Sequence, residues 1–163
     1  MKVIFLDIDG VLNTGGPNSL YGYNHELNHK NWAKPLVKRL DWLCQKTGAV
    51  VVISSTWRML NNDVNWWNEQ FILAGCLHVR VTDCTECSRS GFRGKEVRSW
   101  LYAQYEVKYV CIDDDSDFYP DQPRVKTKAF CGLTQGNTWE AYAILMGASK
   151  GTGKRCMKEH NVL

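Results

Sequence analysis

Along this chain, short apolar runs without polar alternation take turns with stretches whose apolar residues recur at helical spacing. Residues 2–6 form a β-branched, apolar run that stops at aspartate and reads as a buried strand. Leu36, Val37, Leu40, Leu43 and Cys44 follow the i, i+1, i+4, i+7, i+8 pattern of an amphipathic helix. Pro35 fits its first turn and Gly48 its stop. A second apolar run at 49–53 ends in Ser54 and Ser55. Val64, Trp67, Phe71 and Ala74 predict another helix, closed by Gly75, and residues 77–81 a third strand. Val97, Trp100, Leu101 and Gln104 mark a helix over 94–105. A strand at 107–112 then runs straight into Asp113-Asp114-Asp115-Ser116-Asp117. A short strand near 124–126 and a helix over 138–146 complete the pattern.

Uniformly apolar strands separated by helices predict an α/β fold: a Rossmann-like three-layer sandwich around a mostly parallel sheet. In such sheets the carboxyl ends of the strands open onto the ligand crevice. Three strands here end in polar residues, Asp7/Asp9, Ser54/Ser55 and Asp113/Asp114, and these are expected to meet at one edge.

Composition narrows the picture. The 163 residues, 44% hydrophobic and 23% charged, suit one globular domain with a real core. We place that domain at 1–149 and a basic tail at 150–163. The tail carries Lys150, Lys154, Arg155 and Lys158 against Glu159, which accounts for the whole net charge of +3. A short basic tail of this kind reads as solvated surface. Its Gly151-Thr152-Gly153-Lys154 departs from the P-loop pattern, because Ala148 stands where the first glycine belongs and Arg155 follows the lysine. The first residues turn acidic too soon for an export signal and no run approaches membrane-spanning length, so a cytoplasmic protein is the expectation. Seven cysteines, an odd number, argue against a disulfide framework. Cys84-Thr-Glu-Cys87, with Cys76 and His78 upstream, has two readings: a four-ligand zinc site, or a surface loop with reduced thiols. The oligomeric state is left open.

The chemistry follows from the acids. Phosphate esters resist hydrolysis because an anionic group repels an anionic nucleophile, so a site must supply a metal, positive charge and hydrogen-bond donors. Carboxylates from two strands can hold one Mg²⁺, a hard cation that prefers oxygen ligands. One carboxylate can then attack phosphorus, and an aspartate two residues on can protonate the leaving oxygen and later activate water.

Asp7-Ile8-Asp9-Gly10-Val11-Leu12 resembles the first motif, DxDG(T/V), of the haloacid-dehalogenase (HAD) superfamily. Ile53-Ser54-Ser55 resembles the second, Arg93-Gly94-Lys95-Glu96-Val97 the third and Cys111-Ile112-Asp113-Asp114 the fourth. All four stand in order over about two-thirds of the chain. The finer texture, including Ser54-Ser55-Thr56-Trp57-Arg58 and Asp113 to Phe118, is similar to the small HAD domains of phage and bacterial RNA-repair ("Swiss army knife") proteins.

The resemblance implies a Mg²⁺-dependent phosphatase. Asp7 would be nucleophile and metal ligand, and Asp9 general acid/base, touching the metal through its backbone carbonyl. Ser54 would hold a phosphoryl oxygen, with Ser55 as substitute. Arg93 would be the third-motif cation, with Lys95 as the alternative. Asp114, with Asp113 beside it, would complete the metal site, the register within 113–117 staying open by one residue; Asp117 would hold a water on the metal. Trp57-Arg58 reads either as packing with a salt bridge or as substrate contact, and Arg58 is carried as a candidate substrate ligand with Ser55 and Lys95.

HAD enzymes often carry a cap domain after the first motif or between the second and third. Asp9 to Ser54 is 45 positions and Ser54 to Arg93 is 39, too few for a substantial cap. An open site suits a large phosphorylated substrate such as a nucleic-acid end, or a nucleotide. The loop 21–32 and Trp57, Trp66 and Trp67 are candidates for cover or base stacking, with core packing the competing reading. A small-molecule phosphatase and a non-catalytic binding module on the same fold are the alternatives.

Overall fold

The first strand, β1 (Lys2–Leu6), shows why the apolar runs lack alternation: its side chains enter two different cores. Ile4 and Leu6 point to one face of the sheet, Val3 and Phe5 to the other, and all four are fully buried. The computed structural model describes residues 1–15 and 28–147. Four further strands follow, β2 (Val50–Ile53), β3 (Val81–Cys84), β4 (Lys108–Asp113) and β5 (Arg124–Lys126). They form one sheet in the order β3-β2-β1-β4-β5, every neighbouring pair parallel. Leu6 lies level with Ile53 on one side and Ile112 on the other, so the residues after these positions emerge together at the carboxyl edge.

Three helices, α1 (Lys34–Thr47), α2 (Val64–Leu73) and α4 (Gln135–Met146), cover the Ile4/Leu6 face, and α3 (Arg93–Tyr102) covers the other. This is the expected three-layer α/β sandwich. On α1 the five residues that carry the helical period are all buried. Each leucine there contributes on the order of 1.5–3 kcal/mol by leaving water. Gly48 ends α1 in the left-handed region, where its N–H returns to the Cys44 carbonyl. α4 starts at Gln135 rather than near Thr138, because Thr134 and Asn137 form a reciprocal cap one turn earlier.

One strand differs from its expected position. Leu77 is 86% exposed, and the N–H groups of Leu77, His78 and Val79 all donate to Asp41 Oδ1 on α1. A side-chain acceptor takes the donors a ladder would use, so pairing begins only at Val81. Between Ser54 and Arg93 the chain holds a 3-10 turn at Thr56–Met59, α2, β3 and a loop, with no inserted domain. The tail at 150–163, with its Gly151 to Lys154 segment, lies outside the described residues, as do residues 21–27 of the loop considered as cover. No helix among the described residues is long and apolar enough to cross a membrane.

The start of α3 sits against the segment that follows β4: Gly94 N–H donates to the Asp117 carbonyl, and Gln122 Nε2 to the Gly94 carbonyl. A Cβ on Gly94 would lie 2.6 Å from Gln122 Oε1 and 2.9 Å from the Tyr119 backbone nitrogen. Gly94→Ala is therefore expected to cost about 1–3 kcal/mol, the usual range for overpacking. A lowered urea midpoint with an unchanged slope would report it.

Candidate active site

The loop after β1 is wound tightly enough to present two acids in different directions. The N–H groups of Leu12 and Asn13 donate to the Ile8 carbonyl, and Gly10 N–H donates to Asn13 O at 2.7 Å. Gly10 has φ +71°, and a Cβ there would overlap the Asp114 carboxylate. Only glycine lets this loop lie against the end of β4. Thr127 Oγ1, just past β5, donates to the Gly10 carbonyl at 2.8 Å and ties the loop from the other side. Asp9 then receives two side-chain donors, Asn13 Nδ2 on Oδ1 and Trp57 Nε1 on Oδ2, each at 2.8 Å.

Asp7 turns inward. Carboxylate oxygens of Asp7, Asp113 and Asp114 all lie within 4.8 Å of one another. Among the described residues this is the one cluster of three or more acidic, histidine or cysteine side chains at such spacing. Arg93, the first residue of α3, reaches into it: Nη2 is 3.9 Å from Asp7 Oδ1, and Nε is 3.4 Å from Asp113 Oδ2. Asp7, Asp113 and Arg93 are all buried. Burial pushes the Asp7 carboxyl up to about 7, the Asp113 charge adds to the rise, and Arg93 and the Ser55 hydroxyl oppose it. Asp113 is pushed up to about 6, again by burial first, with Arg93 and the Asp115 N–H opposing. Asp114 moves the same way, through burial and the neighbouring Asp115 and Asp9. One guanidinium does not offset three carboxylates, so the site has a shortage of positive charge.

A hard divalent cation fits that shortage. The donors are all carboxylate oxygens, as Mg²⁺ prefers, and Asp113 Oδ2 is buried without a hydrogen bond. Arg93 Nη1 is likewise buried without an acceptor, which leaves one N–H-bearing atom for an anion at the same place.

The remaining candidates sort by position. Ser54 and Ser55 are both buried at the end of β2, Ser54 N–H continuing the ladder to the Leu6 carbonyl. Ser55 is the one whose hydroxyl acts on Asp7, and it also caps the 3-10 turn by accepting from Trp57 N–H at 3.4 Å. Of the two basic residues opening α3, Arg93 faces the acids while Lys95 is exposed. Asp117 caps α3, its Oδ2 accepting from Arg93 N–H at 2.9 Å.

Two pairs of open readings are separated by position. Arg58, carried as a substrate ligand, is buried with its guanidinium fully engaged inside the protein. It donates to the Ser54, Ser55 and Thr85 carbonyls and pairs with Glu96 on α3. Its charge is held by the fold, so it braces the site instead of facing it. The four zinc candidates do not assemble either. Cys76 and His78 precede β3 and Cys84 and Cys87 end or follow it, so the strand's length separates the pairs. His78 Nδ1 lies 3.0 Å from Asp41 Oδ2, and the thiols are free. Trp66 and Trp67 pack edge-to-face with each other, Trp67 fully buried and stacked on Trp32.

Three contacts had no signal along the chain: Asn13 on Asp9, the Trp57 indole on Asp9, and Glu96 on Arg58. Asn13 stands four residues from Asp9, but only the tight loop turns it back. Trp57 and Glu96 act across 48 and 38 positions of chain.

A family model described as the HAD domain in Swiss Army Knife RNA repair proteins matches residues 3–138, most of the chain. No curated protein and no solved structure matches.

The raised carboxyls give a linkage test that needs no substrate. Folded Asp7 and Asp113 hold protons above 3.8, the ordinary carboxylate value, up to about 7 and about 6. Over that window the folded chain binds more protons than the unfolded one, so this pair's contribution to stability falls as pH rises through it. A divalent cation competes with those protons. Mg²⁺ is therefore expected to raise Tm more at about pH 7.5 than at about pH 5. Equal shifts in Tm at the two pH values would count against a metal on these acids.

Proposed function

The chain belongs to the HAD domains found in Swiss Army Knife RNA repair proteins, and from that premise we propose that it is a Mg²⁺-dependent phosphatase. The observation that carries the reading is the convergence of Asp7, Asp113 and Asp114 on one another, with Arg93 reaching Asp7 and Asp113. Asp7, Asp113 and Asp114 would hold the cation, which supplies charge neutralisation at the phosphoryl oxygens.

In the proposed reaction an Asp7 oxygen forms a bond to phosphorus as the bond from phosphorus to the leaving oxygen breaks. Arg93, with Nη1 buried and without an acceptor, takes one phosphoryl oxygen, and the serines at the end of β2 take another. The leaving oxygen departs as an alcohol with the proton from Asp9. Asp9, now a carboxylate, accepts a proton from the water that attacks phosphorus. Inorganic phosphate leaves and Asp7 is regenerated as a carboxylate. The acid and base steps need one carboxyl that is free of the cation-binding trio, and Asp9 satisfies this by turning toward Asn13 and Trp57.

For substrate we propose a nucleic-acid end or a nucleotide. The family's description supports this, as does the absence of an inserted domain between Ser54 and Arg93, which leaves that side of the crevice open to a polymer.

Phosphate release with Mg²⁺ from nucleotides, 3′- and 5′-phosphorylated oligonucleotides, sugar phosphates and phosphopeptides tests both parts. Asp7→Asn is expected to abolish turnover while the protein stays folded; release at the wild-type rate would remove the proposal. Arg93→Ala should lower kcat/KM by about 10²–10³-fold, the scale for loss of one oxyanion donor, whereas Lys95→Ala should leave it within about twofold.

A further inference from the structure

We propose that Trp57 is a positioning residue for Asp9, and that its indole N–H equips the site for phosphate esters of unactivated alcohols. The inference rests on the phosphatase reading and deepens it. Trp57 Nε1 donates to Asp9 Oδ2 at 2.8 Å, while Asn13 Nδ2 donates to Oδ1 at the same distance. Each oxygen of a carboxylate has two acceptor positions. One neutral donor on each oxygen fixes the plane of the group and still leaves an acceptor position for the proton it must carry. Neither the indole nor the amide nitrogen can take that proton away, because both are donors only.

The donor is itself held rigidly. The Trp57 side chain is buried in the larger core, and its carbonyl accepts from the N–H groups of Leu60 and Asn61. Its backbone N–H meets the Ser55 hydroxyl. The next residue, Arg58, clamps the carbonyls of Ser54 and Ser55. An indole has few torsions to lose, and these are already fixed by packing. One five-residue segment therefore acts on Asp7 through Ser55, on Asp9 through Trp57, and on α3 through Arg58 and Glu96.

The chemical consequence depends on the leaving group. A p-nitrophenolate departs without help, whereas an alkoxide such as a ribose oxygen needs the proton as the bond breaks. In the transfer to Asp7, precise placement of the acid matters only for the second kind, whereas the later attack of water is common to both. A tryptophan that merely filled space would affect both kinds alike.

The test is a leaving-group series from p-nitrophenyl phosphate to alkyl phosphates, run with Mg²⁺ on wild-type protein and Trp57→Phe. An aromatic ring is kept, while the pyrrole portion with its N–H is lost, and a loss of packing alone would lower both kinds of ester alike. The expected result is a fall in kcat/KM, which reports the transfer to Asp7, of about tenfold or more on alkyl esters, part of what general acid catalysis supplies, and less than about threefold on p-nitrophenyl phosphate. Equal losses, or none, would overturn the role. Wild-type protein that hydrolyses no member of the series would remove the phosphatase reading and this role with it. A second measurement covers a variant that does not fold: ¹⁵N-tryptophan labelling of wild-type protein and Asp9→Asn. One indole N–H resonance should move upfield when its carboxylate acceptor becomes a neutral amide. Seven indole resonances that all stay in place would refute the contact.

Discussion

Two buried carboxylates, Asp7 and Asp113, share one buried guanidinium, Arg93, at the point where β1 and β4 end beside the start of α3. Like charges in a dry site repel and are poorly solvated, so the arrangement is costly unless positive charge is delivered to it. Much of the surrounding backbone is shaped by that delivery. Gly94 brings the first turn of α3 close to the segment after β4, and Asp117 accepts the Arg93 N–H, so the guanidinium cannot withdraw. Gly10 performs the corresponding service for Asp114 by letting the loop after β1 lie against its carboxylate.

The same constraint explains a second, quieter ion pair. Arg58 and Glu96 are both buried, and their link joins the end of β2 to α3. Breaking a buried pair by deleting one partner usually costs about 3–5 kcal/mol, because the other charge is stranded. Glu96 also accepts from Ser88 N–H, and Arg58 from its side reaches Thr85, so the loops after β2 and β3 are joined to α3 through two side chains. The bracing holds Ser54, Ser55 and the helix that carries Arg93 in one frame, which is what preorganised electrostatics requires.

Among the described residues the cysteines take no part in this arrangement. Cys44 and Cys111 lie in apolar surroundings and burial raises their thiols, as it does for Cys76 and Cys84, which favours the neutral form of these four. The acids at the carboxyl edge and the thiols beside β3 thus differ in placement: the first are oxygen donors brought together, the second are kept apart.

Much of this was legible along the chain. Runs of Val, Ile and Leu ending in Asp or Ser identified the strands and the edge where they finish, because burial on both faces leaves no room for polar alternation and strand ends are where polar groups return. The spacing of Leu36, Val37, Leu40, Leu43 and Cys44 identified α1 for the same local reason. Local pattern had no hold on the third strand, where Asp41 takes the N–H groups that an apolar run at 77–81 seemed to offer to a ladder. Nor did it separate Arg93 from Lys95, two basic residues on one turn, since only the packing of α3 decides which of them faces inward. Residue type and order alone determined the fold class and the acids that end its strands. Which donor meets which oxygen, from Trp57 on Asp9 to Arg58 on Glu96, was decided by tertiary structure, because hydrogen bonds reach about 3 Å and only folding brings residues dozens of positions apart within that distance.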